Sequence, residues 1–260
     1  MASYIICIAT ASSCLPSLAG GLGRESVVDS KHHLIADFKV STCSNDSGEL
    51  SDLTESAKEI MEVDKIDVTA DKAYYNSDDI AKCENNGTTC YVPKKDDNRH
   101  APNPSYDKKH FRYDRENDCY ICPEGKVLPY KRASFIKPGV TDGRLYQATK
   151  TCKTCDKRDL CTSNKSEGRT LKRLLNQDAL DAVDKRMKTR KGRLILKKRR
   201  ELVEHPFGTV KKVWGYGQYL CRGLEMVTAE QAMAFLAYNL RRVINIFIEK
   251  REDIMGAMAA

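Results

Sequence analysis

Residues 26–93 alternate between short strand-like segments and short helix-like segments, and this alternation constrains the fold more than any other feature. Residues 26–42 read as two strands joined by a tight connection, because β-branched and bulky apolar residues recur there. A helix begins at Ser51 or Asp52, and acidic residues crowd its first turns. The remaining elements are a strand over 66–70, a helix over 76–86 and a strand over 88–93. The pattern predicts an α/β class with a mixed sheet flanked by helices.

The bulk composition indicates an ordinary globular chain with an anionic partner. The 260 residues suffice for one or two domains, and the net charge is +8 with a pI of about 8.8. The 11 cysteines do not resemble a secreted disulfide framework, so we expect a reducing, cytoplasmic location. No apolar run reaches membrane-spanning length. Residues 1–25 lack a basic start and a clear period, so we expect an unrelated or disordered leader there.

Glu204 stands in a strongly basic run, with Arg200 four residues before it and Lys211 seven after it. On a helix these separations return to one face. A carboxylate between two cations stays ionised, and an ionised carboxylate can bind a divalent metal, while the cations suit phosphate. The alternative is a solvated face with ion pairs. Pro206 predicts a bend or a restart of the helix.

A polar stretch over 94–175 carries cysteines at metal-ligand spacing. Two residues separate Cys152 from Cys155, a spacing that lets two thiolates hold one tetrahedral zinc. The candidate zinc sets are Cys122, Cys152, Cys155 and Cys161, or Cys119 and Cys122 with Cys152 and Cys155. Ordinary reduced cysteines are the alternative. A bound zinc would fold the insert and not catalyse a reaction, because four thiolates leave no open position for water.

Several motifs together resemble bacterial insertion-sequence transposases of the Asp-Asp-Glu (DDE) type. Their signature around the catalytic glutamate runs Tyr, two residues, Arg, three residues, Glu, six residues, Lys, and here only the Tyr is replaced, by Lys197. The flanking VEHPFGTVKK and the runs VVDSKHHLI and ADKAYYNSDDI also match. Ala73 stands where a glycine is usual, which would strain the turn if that glycine has a positive φ. Because relatives carry a long N-terminal DNA-binding region, the resemblance implies an N-terminally truncated copy.

The resemblance implies an RNase H-like catalytic domain in two sequence halves, 26–93 and 176–250, separated by the insert and followed by a tail over 251–260. Asp29, Asp71 and Glu204 would be the catalytic residues and would hold Mg²⁺ or Mn²⁺ for DNA strand cleavage and transfer. The expected DNA-binding residues are Lys191, Arg193, Lys197, Arg200 and Lys211. The implied partners are the terminal repeats of an element and a second copy in a homodimer. The cysteine pattern of relatives favours the zinc set that contains Cys161.

Three other functions stay open at this point. They are a catalytically dead nucleic-acid-binding remnant, a zinc-dependent interaction module, and a nuclease of the same fold. Near the C-terminus, apolar residues at helical spacing predict a core helix that packs on the sheet, and Thr228 with Gln231 would form its capping box. The expected core residues are Ala232, Phe235, Leu236, Leu240, Val243, Ile244 and Phe247.

Overall fold

The computed structural model describes residues 4–13, 22–41, 48–95, 101–137, 140–164, 166–215 and 219–259, without the side chains of 9–13, 22, 203–204 and 252–259. The chain divides into two compact units. The first comprises Met1–Lys95 and Asp178–Ala260, and the second comprises Asp96–Gln177. The second unit begins and ends within two residues of the predicted insert.

The first unit contains a mixed five-stranded sheet in the order β3-β2-β1-β4-β5. Its strands are β1 (Tyr4–Ser13), β2 (Leu22–Asp29), β3 (Ile35–Ser41), β4 (Ile66–Thr69) and β5 (Thr88–Tyr91). β1 pairs antiparallel with β2 and parallel with β4, and β4 pairs parallel with β5. The helices are α1 (Leu50–Met61), α2 (Ser77–Asn85), α5 (Gln177–Met187), α6 (Arg190–Phe207) and α7 (Leu224–Ala259).

The predicted hairpin, the first two helices and the strands over 66–70 and 88–93 are all present. The expectation of a separate leader is wrong for residues 4–13, because they form the central strand of the sheet. Ile6, Cys7 and Ile8 have no exposed surface, so this strand is covered on both faces. A doubly covered strand shows no alternation of apolar and polar residues, which is why its sequence gave no period. Residues 14–21 lie outside the described part of the chain.

α7 corrects three predictions at once. The helix begins at Leu224 and continues through the residues expected to form a tail. Thr228 lies inside it and donates to the carbonyl of Leu224, so it does not cap the helix. Of the seven expected core residues, Phe235 is buried, but Leu236, Leu240, Ile244 and Phe247 are each more than half exposed. Helical spacing shows that residues share a face, but it does not show which face is buried when two faces carry large apolar side chains, as they do in this helix.

The second unit is built on an antiparallel sheet in the order β10-β9-β8-β7-β6. Its elements are β6 (Arg112–Asp114), β7 (Cys119–Ile121), β8 (Val127–Lys137), β9 (Val140–Gln147), α3 (Thr149–Lys153), α4 (Arg158–Cys161) and β10 (Thr170–Leu174). Its core is formed largely by Phe111, Tyr120, Leu128, Tyr146 and Leu171. Among the described residues of both units, no helix is long and apolar enough to cross a membrane.

Candidate functional site

Asp71 lies just beyond the carboxyl end of β4, the position where open α/β sheets place ligand-binding groups. β4 is buried along its whole length. Asp71 therefore lies where the chain leaves the sheet at the carboxyl end of this strand. One carboxylate oxygen accepts from the backbone N–H of Lys72, and the other meets the guanidinium of Arg199 at 3.1 Å. The side chain is 49% exposed. Asp71 is therefore an accessible carboxylate tied to helix α6.

Ala73 does not strain the turn after Asp71. Residues Lys72–Tyr74 form one turn of 3₁₀ helix. The described non-glycine residues with positive φ are His33, Glu62 and Asp118, so Ala73 has an ordinary backbone conformation. The alanine at this position gives no structural reason to expect a loss of activity.

Helix α6 carries the glutamate motif and packs on the sheet through one stripe. Gly192, Ile195 and Leu202 are buried on that stripe. Gly192 lies against the end of α5, where a Cβ atom would be 2.4 Å from the carbonyl oxygen of Arg186. Arg199 lies on the same stripe and reaches Asp71. The backbone of Glu204 belongs to this helix. Its side chain lies outside the description, so its catalytic role stays a prediction.

Lys211 does not continue the regular helix that carries Arg200 and Glu204. α6 contains Pro206 and ends at Phe207, and Gly208–Val213 then forms a π-helical segment. The wider turn of a π-helix changes the angle between residues before and after it, so the expected single stripe is interrupted. The Lys211 ammonium lies 5.8 Å from the centre of the Phe207 ring. Burial first, and then the nearby Arg24, lower the pKa of Lys211.

The strand register separates Asp29 from Asp71, with which it was predicted to share a metal, so the catalytic role of Asp29 stays a prediction. In the register Asp29 pairs with Ile6, which pairs with Val68 on its other side, and Asp71 follows three residues later. Strand rise and spacing place the two Cα atoms about 14 Å apart. The Asp29 carboxylate accepts from the backbone N–H of His32 at 2.6 Å, which closes the turn between β2 and β3. This residue is a turn-forming aspartate in the described structure.

The turn that begins at Asp29 is held by polar side chains of α7 that the sequence analysis missed. Tyr238 donates to the carbonyl of His33, Arg242 donates to the carbonyl of His32, and Asn239 bonds both backbone groups of Ile35. The imidazole of His205 bonds the Tyr238 hydroxyl at 2.8 Å, and its ring lies 5.1 Å from that of His33. The sequence signal that could have revealed these contacts is the presence of polar residues on the buried stripe of an apolar helix.

The basic run divides into inward and outward side chains. Arg186 bonds both carboxylate oxygens of Glu84, and the ammonium of Lys191 lies 2.6 Å from Asp67. These two cations therefore stabilise the first unit. The predicted DNA contacts Arg193, Lys197 and Arg200 are exposed on one side of α6, at separations of four and three residues. No ion pair of these three occurs within the described part of the chain.

Four cysteines of the second unit line one small cavity, namely Cys122, Cys152, Cys155 and Cys161. Cys119 does not line it and is buried in β7. The backbone N–H of Lys126 donates to the Cys122 sulfur at 3.3 Å, and a Cβ atom at Gly168 would collide with Cys152. Nevertheless, no group of three or more His, Cys, Asp or Glu side chains among the described residues is arranged to hold a metal ion.

Comparison with known families identifies the region that includes α6. Residues 121–244 match the model of a family described as a transposase DDE domain. This DDE match covers slightly less than half of the chain. It includes Arg200, Glu204 and Lys211, whereas Asp29 and Asp71 precede it. Searches of curated proteins and of solved structures gave no match. The DDE match supports a transposase, that is, an enzyme that acts on DNA.

Proposed function

We propose that this chain contains the RNase H-like catalytic domain of an insertion-sequence transposase that cleaves and joins DNA strands with a divalent metal. The DDE match over 121–244 supports the class of enzyme. The first unit has a mixed sheet covered by helices, and the second unit lies in the sequence between the two segments of the first. Both features are consistent with the proposed fold. The exposed basic side chains of α6 provide a surface for phosphate.

The observation that carries the proposal is the contact between Asp71 and Arg199. It ties the carboxyl end of β4 to the helix that bears Glu204, five residues further on. Asp71 and Glu204 would hold the metal. Asp71 fits this role because it is half exposed and each carboxylate oxygen keeps a lone pair beyond its present hydrogen bond. A bound Mg²⁺ would activate water or a DNA 3′-hydroxyl and stabilise the leaving oxygen.

The other residues bind and orient the DNA backbone. Arg199 fixes the direction of the Asp71 carboxylate, and Arg193, Lys197 and Arg200 would contact successive phosphates along α6. Phosphate contacts position DNA but carry no base information directly. This surface would therefore bind DNA of any sequence, and recognition of terminal repeats would require other residues.

A second candidate function is nucleic-acid binding without strand cleavage. The observation that favours it is the position of Asp29, which closes a turn away from Asp71. The central strand β1 offers no replacement, because Tyr4–Ser13 contains no acidic residue. A site with Asp71 and Glu204 alone has two carboxylates for the metal, one fewer than the predicted triad.

Plasmid nicking separates the two candidates. Supercoiled DNA is incubated with the purified chain and Mg²⁺, Mn²⁺ or EDTA, and open-circle product is measured. The enzyme predicts metal-dependent nicking that Asp71→Asn reduces at least tenfold. Asp64→Asn is the matched control, because Asp64 is exposed before β4 and near the opposite end of the same strand. Metal-independent binding with no nicking would favour the second candidate.

We also propose that Cys122, Cys152, Cys155 and Cys161 hold one structural zinc. Their position around one cavity supports this set over the alternative that contains Cys119. Burial raises the pKa of Cys161 to about 11, so a bound zinc would have to displace its proton. The metal would connect α3 and α4 to the segment after β7 and would not take part in strand cleavage.

A further inference from the structure

The hairpin of β8 and β9 extends beyond the other strands of the second unit. β7 pairs with β8 only over 127–129, and β10 pairs with β9 only over 143–147. Over 134–137 and 140–142, each of the two strands therefore pairs only with the other among the described strands. We call this two-stranded part the ribbon. It is about 13 Å long at the rise of a β-strand.

The ribbon exposes large apolar side chains close together. Phe135 is 56% exposed, Ile136 is 66% exposed and Val140 is 53% exposed. They lie outside the buried core of the second unit, so they do not stabilise it by packing there. A two-stranded hairpin alone is only marginally stable in water, and a group of exposed apolar residues marks an interaction site. The ribbon is therefore a candidate binding element.

The charge of the hairpin indicates an anionic partner. The segment 130–145 carries one acid, Asp142, and four cations, which are Lys131, Arg132, Lys137 and Arg144. Asp142 pairs with Lys172, and two of the cations pair with acids of the same unit. Arg132 and Lys137 are exposed, and neither forms an ion pair within the part of the chain that the structure describes. These two cations are available to a ligand.

We infer that the ribbon binds duplex DNA by entering the major groove. This groove is about 12 Å wide and admits a two-stranded β-ribbon. Arg132 and Lys137 are about 17 Å apart along β8 and would contact phosphates at the edges of the groove. Phe135 lies opposite Thr141 in the register, and both are exposed between the two cations. They would face the base edges, where apolar groups contact thymine methyls and a hydroxyl bonds polar atoms.

The ribbon would add to the chain what the basic side of α6 lacks. Contacts with phosphates position DNA, whereas contacts with base edges distinguish one sequence from another. The ribbon would therefore give the chain a preference among DNA sequences. The inference rests on the proposed function in taking DNA as the partner, but it does not depend on strand cleavage.

Fluorescence anisotropy with the full chain and a duplex of about 30 base pairs, without added divalent metal, tests the inference. The double variant Arg132→Ala, Lys137→Ala should lower the affinity at least tenfold. It should also reduce the slope of log affinity against log salt by about 2, because two phosphate contacts are lost. The matched control is Lys150→Ala with Lys153→Ala, which removes two exposed cations from α3 of the same unit and should change neither quantity.

The apolar side chains require a separate variant. Phe135→Ser with Ile136→Ser should lower the affinity at least fivefold and leave the salt slope unchanged, because these side chains contact no phosphate. Circular dichroism should show an unchanged fold, because both residues are exposed. A duplex RNA of the same sequence should bind more weakly than the DNA, because its major groove is too narrow for the ribbon.

Chemical footprinting locates the groove. Dimethyl sulfate methylates guanine N7 in the major groove and adenine N3 in the minor groove. The chain should protect guanine N7, and the variant with Phe135→Ser and Ile136→Ser should lose this protection. Protection of adenine N3 alone, or equal binding of the RNA duplex, would overturn entry into the major groove.

The same variants separate this inference from the proposed function. Unchanged DNA affinity in both ribbon variants, together with metal-dependent plasmid nicking, would overturn the inference and leave the proposed function standing. Lowered affinity in both variants, with no nicking in any metal, would support the ribbon and contradict the proposed enzyme.

Discussion

The carboxylate of Asp29 accepts a hydrogen bond from the backbone N–H of His32 at 2.6 Å. The turn also contains a backbone bond from His33 to the carbonyl of Asp29 and a left-handed residue, His33, with φ of 59°. These contacts make Asp29 the residue that closes the β2–β3 hairpin. Its sequence context, VVDSKHHLI, suggests catalysis, while its geometry indicates a structural role.

We predict that Asp29→Asn leaves stability and metal-dependent nicking almost unchanged. The asparagine carbonyl can accept the same hydrogen bond from His32. Asp29→Ala should lower the free energy of unfolding by about 1 kcal/mol, because the turn loses its side-chain acceptor. Urea denaturation and plasmid nicking check both substitutions. A loss of nicking in Asp29→Asn with normal stability would restore Asp29 to the catalytic site.

We predict that DNA affinity falls steeply with salt and that α6 supplies much of this dependence. Replacing Arg193, Lys197 and Arg200 with alanine should reduce the slope of log affinity against log salt by about 2–3, at about 0.9 per lost phosphate contact. Lys65, Lys82 and Lys95 are exposed cations of the same unit, and their triple alanine variant removes equal charge. Fluorescence anisotropy with duplex DNA measures both. Equal slopes in the two variants would refute a specific role for α6.

We predict about one zinc per chain in protein purified under reducing conditions. Cys161→Ser should release the zinc and destabilise the second unit, because its sulfur lines the cavity. Cys119→Ser should retain the metal, because Cys119 lies outside the cavity lining and is buried in β7. Elemental analysis with limited proteolysis distinguishes the two. Retention of zinc in Cys161→Ser and its loss in Cys119→Ser would support the alternative cysteine set.

We predict that the first unit loses stability as the pH falls below about 6.5. Burial, followed by the positive charges of His205, Arg242 and Lys198, lowers the pKa of His33 in the folded chain, and burial also lowers the pKa of His205. The unfolded chain, with an ordinary histidine pKa near 6.5, then binds protons that the folded chain does not. Stability is therefore full above the unfolded pKa and declines as the pH drops.

Substitution of His33 tests this pH dependence. Asparagine tolerates the positive φ of that position, so His33→Asn should keep the turn while removing one titrating group. Urea denaturation at pH 7.5 and 5.5 should show a smaller difference for His33→Asn than for the unmodified chain. His110→Asn changes an exposed histidine of the second unit and should not alter the difference. An equal pH effect in all three proteins would disprove the contribution of His33.

Much of the first unit could be predicted from the sequence because its signals are local. The hairpin of β2 and β3 alternates apolar residues, Asn76 caps α2 with its side chain, and Asp71 directly follows a short buried strand. Each of these signals lies within a few residues of the feature that it predicts. The family resemblance likewise rests on short motifs, and the DDE match over 121–244 supports its coarser part, a transposase.

The features that the sequence did not predict depend on distant contacts. β1 is identifiable only once β2 and β4 flank it, because its small and apolar residues show no alternation. The register that separates Asp29 from Asp71 is set by pairing across three strands. The two sides of α7 differ only in which one meets the sheet, and polar residues such as Gln231 and Asn239 occupy the buried or partly buried positions there.

The insertion of the second unit has a consequence for how this chain folds during its synthesis. All five strands of the first sheet are complete at Tyr91, but α6, which packs on that sheet, ends at Phe207. At ordinary translation rates, roughly 6–23 s pass between the synthesis of the last strand and that of the end of α6. During this time Val28 and Ile35 lack the residues that cover them in the folded chain. The nascent chain therefore passes through an aggregation-prone state with exposed apolar strands. A chaperone that binds apolar strands would bind the chain in this state.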